Sequence, residues 1–413
     1  MKRLFGIGSS LFIYSIIPIL SWVVLSFILD DSRIANVFSI CYAIQFVWSI
    51  FKCLFGSGAN IRKEKEHDNN ATWNGIFWGT IFAIIVFSIP IIFVDKYINF
   101  FGQDAEFYRI YVIYGITQLF VQTLLQFIIE KLYFEDKEKL ANIHVFVFNI
   151  LNFLILIILC ACIKNTFIAL IATLAVLLIY VICLYVWQFQ KFKIDFKFFK
   201  NIKYESANLF NALFMLIIYL FGYRNAFSAG EEYLLALNIV ALCTDAQWDM
   251  LTAYDIVAKV DISKNRYNYA SEIKKAYIFT IIVGLSSVIM SLILVSFINV
   301  SAKLLITYLS FQIIGMFLDT YTSILSIYTQ IEYSPIINTV LNLSTMIIRT
   351  ILSLLILSPY CTDIGQISQS VILFISFIVL RFSKYKIVEN KLMVKKDLNI
   401  KNQITRRDKD GNH

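Results

Sequence analysis

Two carboxylates in the middle of an apolar stretch are the residues most able to do chemistry in this sequence. Asp245 and Asp249 lie within residues 235–262, a stretch long enough to cross a bilayer as a helix at about 1.5 Å of rise per residue. They are one helical turn apart and therefore share a face. A charge at bilayer depth costs at least about 2.5–3.5 kcal/mol, so such residues usually face a wet cavity or a partner.

A third acid, one base and two neighbouring side chains extend this candidate site. Asp319 lies near the middle of the tenth predicted span, and Arg349 lies inside the eleventh. Clustered carboxylates could carry a proton, ligate sodium together with Thr252, or receive a cationic substrate, on which Trp248 could stack. Alternatively, Arg349 could form a structural ion pair with one of the acids, which would still leave the other carboxylates for proton, ion or substrate.

Polar residues in the first half of the chain are candidates for the wall of a cavity. Gln118, Gln122 and Gln126 recur every four residues and form a polar stripe on the fourth predicted helix, and Gln45 lies in the second. Hydrogen bonding between helices explains such a stripe about as well as a substrate groove does. Lys52 lies near the end of its helix, where it can extend to the interface; if it points inward, it favours an anionic substrate such as a lipid-linked sugar phosphate.

The other charged residues and motifs give weaker evidence for a functional site. Asp255 has Lys259 four residues on, the spacing of an ordinary ion pair on a helix surface, so we give it little functional weight. His67, His144 and His413 form no HxxxH or HExxH motif, and we expect no metal site and no cofactor. No GxxxxGK[ST] loop and no hydrolase arrangement occurs, so we expect a protein that is not an enzyme and is not driven directly by ATP.

The composition is that of a polytopic α-helical membrane protein. Of 413 residues, 59% are hydrophobic and 15% are charged, and the mean hydropathy is +0.72. We predict an all-α fold with twelve transmembrane helices. The predicted spans are 4–29, 34–56, 73–94, 108–130, 141–163, 166–188, 206–223, 233–258, 276–299, 303–330, 336–358 and 364–382.

The distribution of basic residues predicts the orientation. With the N-terminus inside, 28 of the 36 lysines and arginines fall in inner segments and six in outer ones. We therefore expect a multi-pass protein of the cytoplasmic (inner) membrane with both termini in the cytoplasm. Because the net charge of +8 belongs to these loops, it does not indicate nucleic-acid binding.

The chain divides into two halves that resemble each other. We predict an N-terminal six-helix bundle (1–188), a basic cytoplasmic linker (189–204), a C-terminal six-helix bundle (205–383) and a basic cytoplasmic tail (384–413). Residues 35–61 align with 236–262 at an offset of 201, and Tyr111, Phe120 and Glu135 match Tyr308, Phe317 and Glu332 at an offset of 197. Six helices is an even number, so the bundles form a parallel repeat around a central cleft, which is typical of a transporter.

The ends of the second and eighth spans carry small-residue motifs that point to a family. These are Gly56-Ser57-Gly58-Ala59-Asn60-Ile61 with Asn70-Ala71, and Ala258-Lys259-Val260-Asp261-Ile262 with Tyr269-Ala270. Together with the topology and the repeat, they make the chain resemble the multidrug and toxic compound extrusion (MATE) family. That family belongs to a superfamily that also holds flippases of lipid-linked oligosaccharides.

The resemblance implies export of organic, often cationic compounds, driven by inward flow of sodium ions or protons. Coupling carboxylates of the family lie in the first helix of one type, and in the seventh and tenth of another. Here the first span has no acid, the seventh has only Glu205 at its start, and Asp319 fits the tenth. Any coupling site is therefore expected in the C-terminal half.

These observations predict a secondary active transporter that exports a small organic, cationic or amphipathic compound by alternating access, coupled to H⁺ or Na⁺. The expected partners are that substrate and the lipid bilayer, with no nucleic acid, and the protein is expected to act as a monomer. The alternative is a flippase of a lipid-linked oligosaccharide or similar anionic substrate, whose cavity would be positive through Lys52 and Arg349. A third reading is a membrane enzyme or scaffold, which would need catalytic groups in loops that are short here.

Overall fold

A computed structural model describes residues 1–163, 165–240, 246–266, 268–297, 301–355 and 361–380. All regular structure in these residues is helical, and ten segments are long and apolar enough to cross a membrane. The predicted all-α, polytopic membrane architecture is therefore confirmed. Of the twelve predicted spans, the eighth is described in pieces, and the twelfth is a shorter apolar helix, Ile364–Val379. Asp245 and the predicted tail, 384–413, lie outside the described residues.

The first half of the chain supplies nine helices to the N-terminal lobe. They are α1 (Lys2–Ile28), α2 (Val37–Tyr42), α3 (Gln45–Phe51), α4 (Gly58–Glu66), α5 (Ala71–Ile92), α6 (Val94–Phe100), α7 (Ala105–Phe134), α8 (Glu138–Cys162) and α9 (Thr166–Gln188). A continuous buried core of aliphatic and aromatic side chains joins these helices and extends into helices of the second half of the chain. The second predicted span is one helical segment, Ser32–Glu66, in which a π-helical turn, Lys52–Ser57, connects α3 to α4.

Eight α-helices of the C-terminal lobe lie in the described part of the second half. They are α10 (Ile202–Ala229), α11 (Glu231–Val240), α12 (Ala246–Leu251), α13 (Ala253–Ser263), α14 (Tyr269–Phe297), α15 (Ala302–Tyr328), α16 (Pro335–Leu355) and α17 (Cys361–Leu380). Thr252 forms a turn between α12 and α13, so the eighth predicted span is irregular where the sequence suggested one straight helix. The lobes meet where α1 packs on α12 and where α3 packs on α10.

Two glycines let α5 approach the second span closely. A Cβ at Gly75 would lie 2.6 Å from the backbone oxygen of Phe55 and 2.7 Å from the Cβ of Ala59. A Cβ at Gly79 would lie 2.7 Å from the Cβ of Phe55. The glycines are four residues apart and share one helix face, which is the small-residue spacing that brings membrane helices together.

Four ion-paired contacts tie the two lobes together at one face of the molecule, which we call the basic face. Arg3 Nη1 lies 2.7 Å from Asp261 Oδ2, Lys264 Nζ lies 2.8 Å from Asp136 Oδ2, and Arg266 Nη2 lies 2.5 Å from Asp136 Oδ1. Lys65 pairs with Glu332 on the other side of the interface. The contacts place the N-terminus and the loops after the second, fourth, eighth and tenth spans on one face, which the sequence predicts to be cytoplasmic.

The internal repeat relates these pairs to one another. Lys65 and Arg266 are 201 residues apart, and Glu135, the neighbour of Asp136, is 197 residues from Glu332. In each case a base after the second span of one lobe meets an acid after the fourth span of the other. The two pairs are thus copies of one contact, repeated by the pseudo-twofold axis.

The contacts of Asp136 with Arg266 and Lys264 persist to low pH. The hydrogen bond from Arg266, with that from Lys264, lowers the pKa of Asp136 from 3.8 to about 2. Because the folded-state pKa is depressed, the stabilisation from this carboxylate is fully present above pH 3.8 and is lost only as the pH falls through about 2.

Substituting Gly75→Ala is expected to lower thermal stability, because the new methyl group meets backbone at Phe55. Overpacking of this kind costs about 1–3 kcal/mol, against a gain in helix propensity of up to about 1 kcal/mol. Gly284→Ala is the matched control, since its Cβ would lie 3.9 Å from the nearest atom, on Phe317. Thermal unfolding in detergent measures both, and equal midpoints would contradict the close approach.

Breaking the basic-face ion pairs is expected to loosen this side of the molecule. In Asp136→Asn/Glu332→Gln, amide hydrogen exchange of residues 132–139 and 261–266 should accelerate roughly two- to tenfold, because exposed pairs each contribute up to about 1 kcal/mol. Asp95→Asn is the control: its partner Arg109 belongs to the same lobe, and both side chains are about half exposed. Unchanged exchange in the double variant would show that the pairs do not hold the lobes.

Candidate functional site

A cavity of about 360 Å³ lies between the two lobes. Its N-terminal wall is formed by α1, α2, α3 and α7, and its C-terminal wall by α10, α12, α13, α15, α16 and α17. The volume is within the range of pockets that hold small organic molecules. Large apolar side chains and polar groups alternate in the lining, so the cavity could bind a molecule that has both kinds of surface.

Three carboxylates face the cavity from the C-terminal lobe: Asp249 on α12, Asp255 on α13 and Asp319 on α15. Each accepts a hydrogen bond from a hydroxyl group. Ser15 on α1 donates to Asp249, Ser323 Oγ donates to Asp255 Oδ1 at 2.7 Å, and Thr322 Oγ1 donates to Asp319 Oδ1 at 3.2 Å. The hydroxyl groups orient the carboxyl groups in the cavity wall without supplying a counter-charge.

One guanidinium shares this wall with the acids. Arg349 on α16 lines the cavity and donates from Nη1 to Gln369 Oε1 at 2.8 Å. Its charge interacts favourably with the carboxylate of Asp319. Among the described lining residues, one base therefore faces three acids, and a single positive charge offsets only one of them.

Asp255 belongs to this wall, although its spacing from Lys259 suggested an ordinary surface pair. The Lys259 ammonium instead lies 2.8 Å from Glu205 Oε1, and Glu205 also accepts a hydrogen bond at 2.8 Å from Ser57 of the other lobe. Lys259 and Glu205 form a buried ion pair beyond the cavity. Asp255 interacts with Lys259 only electrostatically, and repels Asp319 across the cavity.

The spacing of Asp255 from Asp249 did not indicate that both residues line one cavity. In one regular helix, residues 249 and 255 differ in direction by about 120°, so they do not share a narrow helix face. Both nevertheless line the cavity, one on each side of Thr252. An acid six residues after another acid in an apolar span was the available signal.

The N-terminal wall is polar and carries no charge among its described lining residues. Gln45, Gln118 and Gln122 all line it, beside the rings of Tyr14 and Trp48, whose centroids lie 5.5 Å apart. The Nε2 groups of Gln118 and Gln122 are buried and have no hydrogen-bond partner among the described residues. These amides are therefore available to donate to a bound molecule.

The rest of the predicted polar stripe lies outside the cavity lining. Gln126 donates from Nε2 to Glu130 Oε1 at 3.2 Å, deep in the N-terminal lobe. The stripe thus serves both purposes considered from the sequence: two glutamines face the cavity and the third makes a hydrogen bond inside the lobe.

Trp248 and Thr252, which are also predicted site residues of the C-terminal lobe, differ from each other in whether they line the cavity. Trp248 lines the cavity, and its Nε1 donates to Gln312 Oε1 at 2.9 Å, which fixes the indole ring. Thr252 is outside the lining, and its hydroxyl donates to the backbone oxygen of Asp249 at 2.8 Å. Thr252 therefore shapes the turn and is not placed as a ligand. Asp245, the other acid of the original pair, lies outside the described residues.

The structure places Lys52 in the N-terminal lobe and outside the cavity lining. Its Nζ lies 3.3 Å from Glu130 Oε1 and 5.3 Å from the centroid of the Trp48 ring. Lys52 begins the π-helical turn, Lys52–Ser57. Its charge still interacts favourably with the carboxyl groups of Asp249 and Asp255 in the cavity wall.

Solved structures of known transporters share this architecture. A multidrug resistance transporter of the MATE family, within the MOP superfamily, in an outward-facing conformation matches with a TM-score of 0.67 at 14% identity, covering 92% of this chain and 95% of that chain. A MOP superfamily transporter from Pyrococcus furiosus, reported to have a binding pocket of reverse polarity, matches at 0.67 and 13%, with coverages of 92% and 95%. A mutant of a Vibrio cholerae MATE transporter matches at 0.64 and 12%, with coverages of 93% and 97%.

The chain therefore has the fold of the MATE transporters of the MOP superfamily, over nearly its full length. No family model and no curated protein matches the sequence. At 12–14% identity the likeness concerns the fold, so the chemistry of the cavity must be argued from the residues of this chain.

The Lys52–Glu130 ion pair gives a test of the placement of Lys52. Lys52→Gln alone would leave the carboxylate of Glu130 buried without its cation, at a cost of roughly 3–5 kcal/mol. Lys52→Gln/Glu130→Gln removes both charges and should recover most of the lost thermal stability. Equal instability of the single and double variants would show that the two residues do not act as a pair.

Proposed function

We propose that the protein is a secondary active transporter that exports a small organic cation by alternating access. The observation that carries this proposal is the charge of the cavity: Asp249, Asp255 and Asp319 face one base, Arg349, among its described lining residues. In a water-poor cleft an uncompensated carboxylate attracts a cation much more strongly than in bulk water. A fold shared with MATE transporters supports a transport role for such a cleft.

The remaining lining suits an amphipathic organic cation better than an inorganic ion alone. Trp48 and Trp248 present aromatic rings, and an organic cation gains both burial and cation–π attraction from such rings. The amides of Gln118 and Gln122 can hydrogen-bond to a polar group at the other end of the molecule. The two walls therefore favour a molecule with a positive end toward the C-terminal lobe.

The same carboxylates can couple export to an ion gradient. Asp255 and Asp319 repel each other, so a proton or a sodium ion between them relieves the repulsion. If the organic cation and the coupling ion compete for these groups, inward flow of the ion drives the substrate out. The proposed coupling ion is H⁺ or Na⁺, and no other cofactor is required.

The proposal also covers the membrane, the orientation and the number of chains that act together. The protein would lie in the cytoplasmic membrane with its basic face and both termini in the cytoplasm, and one chain would suffice, since both walls of the cavity come from the same chain. A flippase of an anionic lipid-linked saccharide on the same fold is the alternative. That alternative would rely on the positive charges of Arg349, which lines the cavity, and of Lys52, which lies behind Trp48 of the lining.

Transport in liposomes tests the proposal. Purified protein is reconstituted, a pH gradient or a sodium gradient is imposed, and accumulation of a fluorescent organic cation is followed. We expect gradient-driven accumulation in the wild type and a loss of roughly tenfold or more in Asp255→Asn or Asp319→Asn, because a ligand charge is removed. Asp249→Asn should lower affinity for the cation.

Asp95→Asn serves as the control, because Asp95 is exposed and pairs with Arg109 away from the cavity. It should transport as the wild type does. Absence of accumulation under both gradients, with protein that unfolds cooperatively at the normal temperature, would contradict export of the cations tested. Flipping of a labelled anionic lipid-linked saccharide by the same vesicles would then support the alternative.

A further inference from the structure

The segment between the two lobes is held firmly against the N-terminal lobe. Residues 189–201 connect the end of α9 to the start of α10. The backbone oxygen of Asp195 accepts hydrogen bonds from Asn74 Nδ2 at 2.9 Å and Trp78 Nε1 at 2.7 Å, and the backbone nitrogen of Asp195 donates to Asn74 Oδ1 at 3.1 Å. The linker therefore follows a defined path on the surface of α5.

Packing fixes the end of the linker as well. Phe198 is buried against Phe55, Phe82 and Trp78, with ring centroids 5.5–5.7 Å apart. Arg62, which is fully buried, donates to Asn201 Oδ1 at 2.9 Å. Because one side of the linker is used for these contacts, its other side has a fixed orientation.

That outward side combines large apolar side chains with lysines. Phe189, Ile194, Phe196 and Phe199 are 54–70% exposed. Four lysines that alternate with them are also exposed. We call these eight residues the linker stripe, and its lysines are Lys191, Lys193, Lys197 and Lys200.

The stripe is strongly positive. Asp195 is the single acid in residues 189–201, and its side chain is used inside the linker contact, accepting from Asn74 Nδ2 at 2.6 Å and from the backbone nitrogen of Lys197 at 2.8 Å. The nearest side-chain cation to its other oxygen, Lys197, is 3.8 Å away. Most of the lysine charge is therefore directed outward.

The stripe also continues a surface that faces lipid. Helix α9 is a candidate membrane span, and its outer side chains, including Ile179 and Ile182, are more than half exposed. At its end, Val186 and Trp187 are 72% and 61% exposed, and the exposed Phe189 comes two residues after Trp187. The linker stripe therefore begins at the end of the exposed apolar surface of the span.

We propose that the linker stripe is a binding surface for the headgroups of anionic phospholipids in the leaflet on the basic face. Aromatic side chains occupy the membrane interface, and lysines beside them attract negatively charged headgroups. In water, four adjoining large apolar side chains would be an exposed patch without a partner. The bilayer that surrounds α9 is the partner that reaches this position.

The inference is independent of what the cavity carries. Because the linker is bound to the N-terminal lobe and continues into α10, lipid bound to the stripe would hold that lobe at a fixed depth while the other lobe moves. Anionic lipid would then act on the protein at a site separate from the substrate cavity.

Photocrosslinking tests the contact directly. The photoreactive residue p-benzoylphenylalanine replaces Phe196 or Phe199 in the full chain, reconstituted in vesicles of phosphatidylcholine alone or with phosphatidylglycerol added. We expect lipid adducts at both positions, with phosphatidylglycerol enriched over its share of the vesicle roughly threefold or more. The same residue at Phe198, which is buried, is the matched control and should form adducts within the protein.

A charge-removal variant separates headgroup binding from simple exposure to lipid. Replacing the four stripe lysines by glutamine should abolish the enrichment of phosphatidylglycerol at position 196 while adducts with phosphatidylcholine remain. The control replaces four exposed lysines elsewhere on the basic face: Lys2, Lys137, Lys139 and Lys274. Adducts without phosphatidylglycerol enrichment, enrichment that survives removal of the stripe lysines, or no lipid adducts at 196 and 199 would each overturn the proposal.

Discussion

The cost of holding a charge away from water governs the arrangement of this molecule. Several buried charges of the described helices are held in ion pairs, and four others line the central cavity. Lys52 is paired with Glu130, and Lys259 is paired with Glu205. Removing either partner would leave a buried charge uncompensated, so these pairs fix the positions of their helices. The carboxylates that are not used in this way collect at the one place where water, an ion or a substrate can reach them, which is the cleft between the lobes.

The two halves of the internal repeat are alike in their ion pairs on the basic face but differ in the side chains that line the cavity. On the basic face the two copies still make equivalent contacts, Lys65 with Glu332 and Arg266 with Asp136. In the cavity the copies differ: the N-terminal wall presents neutral amides and aromatic rings, and the C-terminal wall presents three acids and Arg349. Symmetric ends suit a rocking motion about the pseudo-twofold axis, whereas an asymmetric cavity gives a bound molecule one preferred orientation.

The sequence predicted the architecture because its signals act over long stretches. Apolar runs of about 20 residues were enough to predict an all-α, polytopic membrane fold. The positions of single side chains are not predicted in the same way, because the direction of a side chain depends on local departures from a regular helix. Asp255 was assigned to a surface pair because Lys259 lies four residues on, whereas Lys259 is paired with Glu205 from a distant part of the chain. Two glutamines of the stripe face the cavity and the third lies inside the lobe. This difference depends on how the helices pack, which the spacing of residues in the sequence does not predict.

The most direct test of the account is whether binding of an organic cation displaces protons or sodium ions from the cavity carboxylates. Calorimetric titration of tetraphenylphosphonium into the purified protein, in buffers of different ionisation enthalpy and with or without sodium, counts the protons released and the effect of sodium on affinity. The account predicts proton release, or competition by sodium, that disappears in Asp255→Asn/Asp319→Asn. Binding that is independent of both ions, or that persists unchanged in the double variant, would contradict it.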